Sequence, residues 1–330
     1  MSDLVICVVH HSNEEFLENL IKSIENSEKN FSYKIAIIDN NTNTNFISLL
    51  KKKYKNIETN FSSSINGYAY NQNFLLKKNY KQYKFSLVIN DDTIFNDKLS
   101  LQKLYDFMLQ NHMVAAASPQ ILNKDLTAQP VYGPIGTYLS HTIRLTMLSK
   151  IINKKIIRYI NTKNYGGIFP KFIRSYFEAH ILKNENISVT KVSGCCMIIN
   201  NNLLDNIGFF DDLNFDMYCD DTDWSYRAGK LNYPLFKVGN ASLIHYGGES
   251  NYPGMVLRKE KTILKYLKKH FPNFIYIRLY SLVLFFHSML MILIYLIKSF
   301  KNYKNVFFSF EYLKLTIISI YYFIFSINVK

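Results

Sequence analysis

Unbroken apolar runs alternate with amphipathic stretches through the first 120 residues of the chain. Leu4–Val9 and Lys34–Asp39 have the continuous apolar character of strands buried on both faces, which is the mark of a parallel sheet. Between them Phe16, Leu17, Leu20, Ile21 and Ile24 recur at helical spacing, behind a Ser12 and Glu15 pair that reads as a capping box. The alternation continues as a helix over Phe46–Tyr54, a strand over Ile57–Phe61, a helix over Tyr68–Tyr80 and a strand over Phe85–Ile89. A helix over Leu101–Leu109 and a strand over Met113–Ala117 follow. Strand and helix in succession predict a Rossmann-like α/β fold, with a mostly parallel central sheet flanked by helices.

In such sheets ligands bind outside the carboxyl ends of the strands, and that is where this chain is acidic. The Lys34–Asp39 strand ends on Asp39, and the Phe85–Ile89 strand empties into Asn90, Asp91 and Asp92. About 130 residues later Tyr218–Arg227 reads Y-C-D-D-T-D-W-S-Y-R, and His245 follows within L-I-H-Y-G-G-E-S. Adjacent carboxylates repel unless a cation or a functional proton sits with them. One such cluster alone reads as a solvated turn. Two clusters and a histidine, all expected at strand ends, read as a divalent-metal and general-base site.

The pattern changes after residue 130. Residues 130–187 are rich in Gly, Pro, Tyr and basic side chains, with one or two basic helices expected near 140–160, and read as an insertion over the site. Strand-like sequence returns at Val189–Ile199, and Asn206–Asp211 reads as a turn after a short helix. Further on, Leu279–Ile297 contains no Lys, Arg, Asp or Glu and has the length of a bilayer-spanning helix. A second apolar stretch, Val306–Asn328, carries Glu311 and Lys314. The two fit a spanning hairpin or interfacial helices with basic flanks among the headgroups. Two helices packed on the sheet or on another subunit are the alternative.

Net charge sharpens this picture. Of the +14 total, residues 141–190 carry +7 and residues 258–330 carry +10, leaving −3 for the rest. Basic segments beside apolar runs suit an anionic membrane surface, and no nucleic-acid recognition motif accompanies the charge. Cys7, Cys195, Cys196 and Cys219 have neither metal-ligand nor disulfide spacing and read as small hydrophobes in a reducing compartment. Met1-Ser2-Asp3 runs straight into a strand with no signal peptide, which argues against export.

The chain resembles the inverting family 2 glycosyltransferases of the GT-A fold, in the branch that includes bacterial rhamnosyl- and galactofuranosyltransferases. Residues 4–250 carry the resemblance, chiefly V-S-G-C-C-M-I-I-N (Val192–Asn200), I-G-F-F-D-D (Ile207–Asp212), the D-D-T-D-W-S-Y-R segment and S-L-I-H-Y-G-G-E-S. It implies a nucleotide-sugar donor lying across the strand ends, with Mn²⁺ or Mg²⁺ bridging its phosphates. The family's metal motif falls on Asn90, Asp91 and Asp92, with Asp92 the surest ligand, Asp91 also facing the donor, and His245 a further ligand. The second cluster matches the family's acidic base motif: Asp221 stands for the catalytic base with Asp220 beside it, and Asp223 and Arg227 match its sequel. Asp39 matches the aspartate that hydrogen-bonds a pyrimidine N3–H, Asn40 and Asn41 continue that motif, and His10 occupies the first loop against the base. Asn73 closes an altered donor-contact stretch that begins at Asn66-Gly67-Tyr68.

These implications give a GT-A catalytic domain over residues 1–255, with 130–187 an insertion near the acceptor site. Residues 256–330 form basic, apolar, membrane-associated helices. The function expected is transfer of a sugar from a UDP- or dTDP-sugar to a hydroxyl of a lipid-linked glycan in bacterial surface polysaccharide synthesis, such as O-antigen or capsule. The place expected is the cytoplasmic face of the plasma membrane, with no nucleic-acid partner. Two alternatives stay open: a non-catalytic membrane-bound scaffold that keeps the fold, and a metal-dependent nucleotidyltransferase. The latter would lack a P-loop, since G-x-x-x-x-G-K is absent.

Overall fold

The structure, a computed structural model, describes residues 2–11, 13–40, 44–62, 66–129, 131–132, 136–145, 184–247 and 254–325. In chain order the elements are β1 (Ser2–His10), α1 (Glu14–Glu25), β2 (Tyr33–Asp39), α2 (Thr44–Lys53), β3 (Ile57–Phe61), α3 (Tyr68–Asn79), β4 (Tyr83–Asn90) and β5 (Thr93–Phe95). They continue as α4 (Ser100–Gln110), β6 (Ala116–Leu122), α5 (Tyr138–Leu145), β7 (Ile187–Val189), β8 (Cys196–Asn200), α6 (Leu204–Ile207) and α7 (Asp220–Lys230). The last are β9 (Leu235–His245), α8 (Met255–His270), α9 (Phe274–Ser299) and α10 (Asn305–Phe325). Two compact units divide the chain, one of Met1–Pro134 with Lys171–Gly247, the other of Ile135–Pro170 with Gly248–Lys330. Most of the 130–187 insertion, with its basic stretch 146–183, lies outside the described residues, as do Ser12 and Asn41.

The first unit is built on one sheet in the order β3-β2-β1-β4-β8-β6-β9-β5, with β7 on β9. Its N-terminal half, β3-β2-β1-β4, is parallel as the alternating pattern predicts. Beyond β4 the sheet is mixed: β8 runs antiparallel to both β4 and β6, while β9 runs parallel to β6. The continuous apolar runs have a direct cause. Leu4, Ile6 and Val8 of β1 enter a core with Leu17, Leu20 and Ile21 of α1, while Val5, Cys7 and Val9 enter a second core with α3 and α7. Helices on both faces leave no polar face for these strands to show. Strand order reverses between β1 and β4, the switch point at which such sheets open a crevice.

Three local expectations need correction. Helix α1 is capped by Asn13, whose side chain accepts the Phe16 N–H at 3.2 Å, so the cap falls one residue later than the Ser12 and Glu15 box expected. Strand β6 covers Ala116–Leu122 and not Met113–Ala117. Its polar middle hid it: Ser118 donates to the Cys196 carbonyl at 2.5 Å, and buried Lys237 donates to Gln120 Oε1 at 2.7 Å. Pro119, which has no N–H to give the ladder, marks a register shift against β9. The stretch Val189–Ile199 is two strands, β7 and β8, joined by a turn.

The second unit is helical among its described residues. Helix α8 carries six Lys and Arg residues in its sixteen positions and buries Ile263, Leu264, Tyr266 and Leu267 on one face. Its Glu260 carboxylate is buried yet satisfied, by Arg144 of α5 at 2.7 and 2.8 Å and by the Tyr280 hydroxyl at 3.1 Å. Helices α9 and α10 pack as an antiparallel hairpin, Tyr295 stacking on Phe308 and Tyr312 at 5.2 and 5.7 Å. By length and composition both could cross a membrane, and only 28% and 33% of their apolar stretches are buried. Ser281, Ser288 and Thr316 within them each donate to the carbonyl four residues earlier, so their hydroxyls need no water.

Glu311 is the one acidic residue in the hairpin, and its role is a cap. Its carboxylate, 6% exposed, accepts the backbone N–H groups of Gly254 and of Val256 (3.2 Å), where α8 begins. Carboxylates favour helix N-termini, whose first N–H groups have no internal partner. Glu311→Leu raises the apolarity of α10 but leaves two partly buried donors without their acceptor, each loss costing up to about 1–3 kcal/mol. The variant is therefore expected to melt at a lower temperature in detergent than the wild-type protein. A higher melting point would mean that burial of an acid, and not the cap, dominates at this position.

Candidate active site

The sheet delivers the candidate residues to one edge. In the parallel ladder His10 stands opposite Asp39 and Val9 opposite Asn90, so β1, β2 and β4 end side by side. Strand β6 ends at Leu122 beside Ile244 of β9, which places His245 on the same edge. Antiparallel β8 begins there, with Cys196 opposite Ile89.

The first acidic cluster splits into two roles. His10, fully buried, donates from Nδ1 to Asp91 Oδ2 at 2.8 Å, leaving its Nε2 buried with no hydrogen-bond partner. Asp92 faces His245 instead, with Oδ1 3.3 Å from Nε2. The β5–β9 ladder sets this pair, because Thr93 lies opposite His245 and the Tyr246 N–H bonds the Asp92 carbonyl at 2.9 Å. The approach is close but not a hydrogen bond, and the buried Asp92 Oδ1 lacks one. Gly247 is required here, since a Cβ on it would lie 2.8 Å from Cε1 of the His245 ring. Asn90 stands two residues before Asp92 and gives its N–H to the Cys195 carbonyl at 3.0 Å.

The second cluster is not at a strand end, as the sequence suggested, but in the first turn of α7. Tyr218 and Cys219 just before it both have left-handed backbone, φ 66° and 60°, turning the chain so that Asp220 and Asp221 head the helix. For residues with a Cβ each such conformation costs on the order of 1 kcal/mol. Asp221 Oδ2 accepts the Gly194 N–H at 3.0 Å, and its Oδ1 accepts the Thr222 hydroxyl at 3.1 Å. The Gly194 carbonyl accepts the Tyr68 hydroxyl at 2.9 Å, and burial together with the charge of Asp220 keeps that phenol protonated. Between the clusters the Cys195 thiol is pushed up to about 12, chiefly by burial, with the charges of Asp221 and Asp92 adding to it.

Other residues named from the motifs serve the frame. Asn73, 2% exposed, spends its amide on the Phe210 backbone, donating to the carbonyl at 2.8 Å and accepting the N–H at 3.0 Å. In the structure that amide is a strut between α3 and the turn that ends at Phe210. Asn40 grips the Asn66 backbone with both amide atoms at 3.0 Å. Asp39, 2% exposed, gives its carbonyl to the Ser62 N–H at 3.0 Å. Asp223 is fully buried against Arg227 Nε at 2.9 Å, and the guanidinium also bonds the carbonyls of Ile207 and Phe209. Gln129, which no motif singled out, accepts the His245 Nδ1–H at 2.8 Å.

The donor set at Asp92 and His245 suits a divalent ion. A carboxylate oxygen without a hydrogen bond lies 3.3 Å from an imidazole nitrogen, a hard oxygen ligand beside a borderline nitrogen one. Among the described residues no three His, Cys, Asp or Glu side chains are arranged to hold an ion by themselves. An ion at this pair would draw its other ligands from a bound phosphate group and water, as Mg²⁺ commonly does.

Comparison with known proteins agrees on the fold. The architecture is shared with GalNAc-T7, crystallised with UDP, GalNAc and Mn²⁺, at a TM-score of 0.60 and 11% identity over 85% of this chain and 51% of that one. It is also similar to residues 1–349 of Staphylococcus aureus TarS, at a TM-score of 0.49 and 12% identity over 86% of this chain and 65% of that one. The chain thus spans about half the length of GalNAc-T7. No curated protein matches its sequence. The fold is GT-A. Residues 5–208 match the model of glycosyl transferase family 2, and the chain belongs to that family.

Burial decides the charge of Asp220. The helix N-terminus favours an ionised carboxyl, but burial, and then the charge of Asp221, outweigh it and push Asp220 up to about 8. Between pH 4 and 8 the folded protein then holds a proton that the unfolded chain has lost. This group's contribution to stability is full below about pH 4 and falls away as the pH rises towards 8. Asp220→Asn is therefore expected to gain melting temperature relative to the wild type as the pH is raised from 5 to 8. Parallel melting curves across that range would contradict the assignment.

Proposed function

We propose that this protein is an inverting glycosyltransferase. It moves a sugar from a nucleoside diphosphate donor to a hydroxyl of a lipid-linked glycan at the cytoplasmic face of the membrane. The observation that carries the reading is the pairing of Asp221, a partly exposed carboxylate fixed by the Gly194 N–H, with the Asp92 and His245 pair on one sheet edge. Family membership and the GT-A fold support transfer from a nucleotide sugar.

In this reading Asp221 takes the proton of the acceptor hydroxyl as that oxygen attacks the anomeric carbon opposite the departing diphosphate. The bond to the acceptor oxygen forms as the bond to the phosphate oxygen breaks, and inversion follows from the opposed faces. A protonated Asp220 beside it spares Asp221 a like charge at contact range. Asp92 and His245 would hold Mn²⁺ or Mg²⁺, with Asn90 close by, and the ion when bound would offset charge on the leaving diphosphate. Asp39, Asn40 and the His10–Asp91 pair line the β1–β2–β4 side, where the nucleoside of a UDP- or dTDP-sugar would lie. The resemblance to rhamnosyl- and galactofuranosyltransferases points to a deoxyhexose or hexose in surface polysaccharide assembly, such as O-antigen or capsule.

Membrane attachment is supported by the second unit. Leu279, Phe286, Leu293 and Ile297 of α9 and Phe310 and Ile317 of α10 are exposed, an apolar surface that water does not favour. The six cations of α8 would meet anionic headgroups.

Thermal shifts with UDP, dTDP, GDP and CMP, each with and without Mn²⁺, test the donor class. One nucleotide is expected to stabilise the protein only when the metal is present; stabilisation by none would overturn the reading. Asp221→Asn is expected to lose at least a hundredfold in transfer, within the range that general bases contribute, while still binding the donor. Asp92→Ala is expected to lose the metal-dependent thermal shift itself. Retained turnover in the first variant, or an unchanged shift in the second, would reject the role given to that residue.

A further inference from the structure

The turn after β6 carries a hydrogen-bonded chain whose direction is decided at its surface end. Asp125, exposed, accepts the Thr127 hydroxyl at 2.6 Å and the Thr127 N–H at 3.1 Å. With its proton committed there, Thr127 Oγ1 must accept from Asn123 Nδ2, at 2.9 Å. Asn123 Oδ1 then accepts from Gln129 Nε2 at 3.2 Å. That leaves Gln129 Oε1 facing His245 Nδ1 at 2.8 Å. An amide oxygen can only accept, so the Nδ1 of His245 carries the proton and its Nε2 presents a bare lone pair to Asp92 Oδ1 at 3.3 Å.

The opposite direction fails at a specific place. Flipping both amides would put the His245 proton on Nε2, the nitrogen beside Asp92, but it would require the Thr127 proton to point at Asn123. Thr127 Oγ1 and Asp125 Oδ1 would then face each other at 2.6 Å with no proton between them. Backbone bonds hold the turn in which this happens: Asn123 N–H to the Thr127 carbonyl at 2.8 Å, and Gln129 N–H to the Ile121 carbonyl at 2.9 Å. Leu126 adopts left-handed backbone, φ 60°, to close it.

We infer that Gln129, oriented by Asn123, Thr127 and Asp125, is a positioning residue that fixes His245 in the tautomer whose free Nε2 faces Asp92. This rests on the reading of Asp92 and His245 as a divalent-metal pair. Two lone pairs held 3.3 Å apart are an unfavourable arrangement by themselves and a favourable one around a cation. Histidines that bind metals ordinarily give their other ring N–H to an acceptor of this kind, and loss of that acceptor costs 10–100-fold in metal affinity. The relay belongs to the turn after β6 and owes nothing to the acidic clusters, so it is a separate requirement on the sequence.

The test uses the full-length protein in detergent, with Gln129→Leu removing the acceptor and Gln129→Glu keeping one. In metal-free, ¹⁵N-histidine-labelled protein, long-range proton–nitrogen correlations report the His245 tautomer, with its signals assigned by their loss in His245→Ala. The Nδ1–H form is expected in the wild type and in Gln129→Glu, and a shift towards Nε2–H, beside the Asp92 carboxylate, in Gln129→Leu. Mn²⁺ affinity in the presence of UDP, read from the electron paramagnetic resonance of free Mn²⁺, is expected to fall about 10–100-fold in Gln129→Leu alone. A purely structural role for Gln129 would lower the melting point without moving the tautomer. An unchanged tautomer, or equal Mn²⁺ affinity in wild type and Gln129→Leu, overturns the inference. If the wild type binds no Mn²⁺, the metal reading fails by itself, and the tautomer measurement still decides what Gln129 does.

Discussion

The turn Ser193-Gly194-Cys195 is the tie on which the arrangement of the two acidic clusters depends. Its Cys195 carbonyl takes the N–H of Asn90, at the end of β4, and its Gly194 N–H goes to Asp221 at the head of α7. The Gly194 carbonyl takes the Tyr68 hydroxyl from α3. A three-residue turn thus reaches elements that lie about 130 residues apart in sequence. Because β8 is antiparallel to β4 in the middle of the sheet, its leading turn has to emerge at the edge where β4 ends. Sheet topology, and not the acidic residues, brings the chemistry together.

Much of the first unit was legible because burial on both faces writes itself as unbroken apolar sequence, as in Leu4–Val9 and Phe85–Ile89. The parallel half of the sheet followed from that pattern alone. Legibility failed where polar groups are buried and satisfied by one another. Strand β6 carries Ser118, Pro119 and Gln120 through its centre, and its partners on β8 and β9 could not be seen in a one-dimensional pattern. The segment opening with Asp220 is expected at a strand end by analogy with the first cluster, and it does not lie there. Acidic residues in a first turn and the Asp223 and Arg227 pair four apart are equally the marks of a helix, and here the helix is what forms.

The site divides between residues free to act and residues consumed in holding others. An asparagine amide serves a ligand or a backbone equally well, so sequence could not say that Asn73 belongs to Phe210 or that Asn40 belongs to Asn66. Arg227, threaded among three partners, fixes the base of α7 against the Ile207–Phe210 turn. Gln129 had no signal of its own, since a glutamine after a turn is unremarkable until its partner is known.

The cap supplied by Glu311 bears on how this protein can be handled. Apolar C-terminal hairpins are commonly cut away to obtain a fragment that stays in solution without detergent. Ending the chain before α9 would take Glu311 with it and uncover the first N–H groups of α8. The same cut would strip the Tyr280 hydroxyl from Glu260, loosening the carboxylate that anchors Arg144. Here the hairpin is a structural part of the same unit as α5 and α8. A soluble version is better sought by replacing outward-facing residues such as Phe286 and Leu293 with polar ones than by shortening the chain.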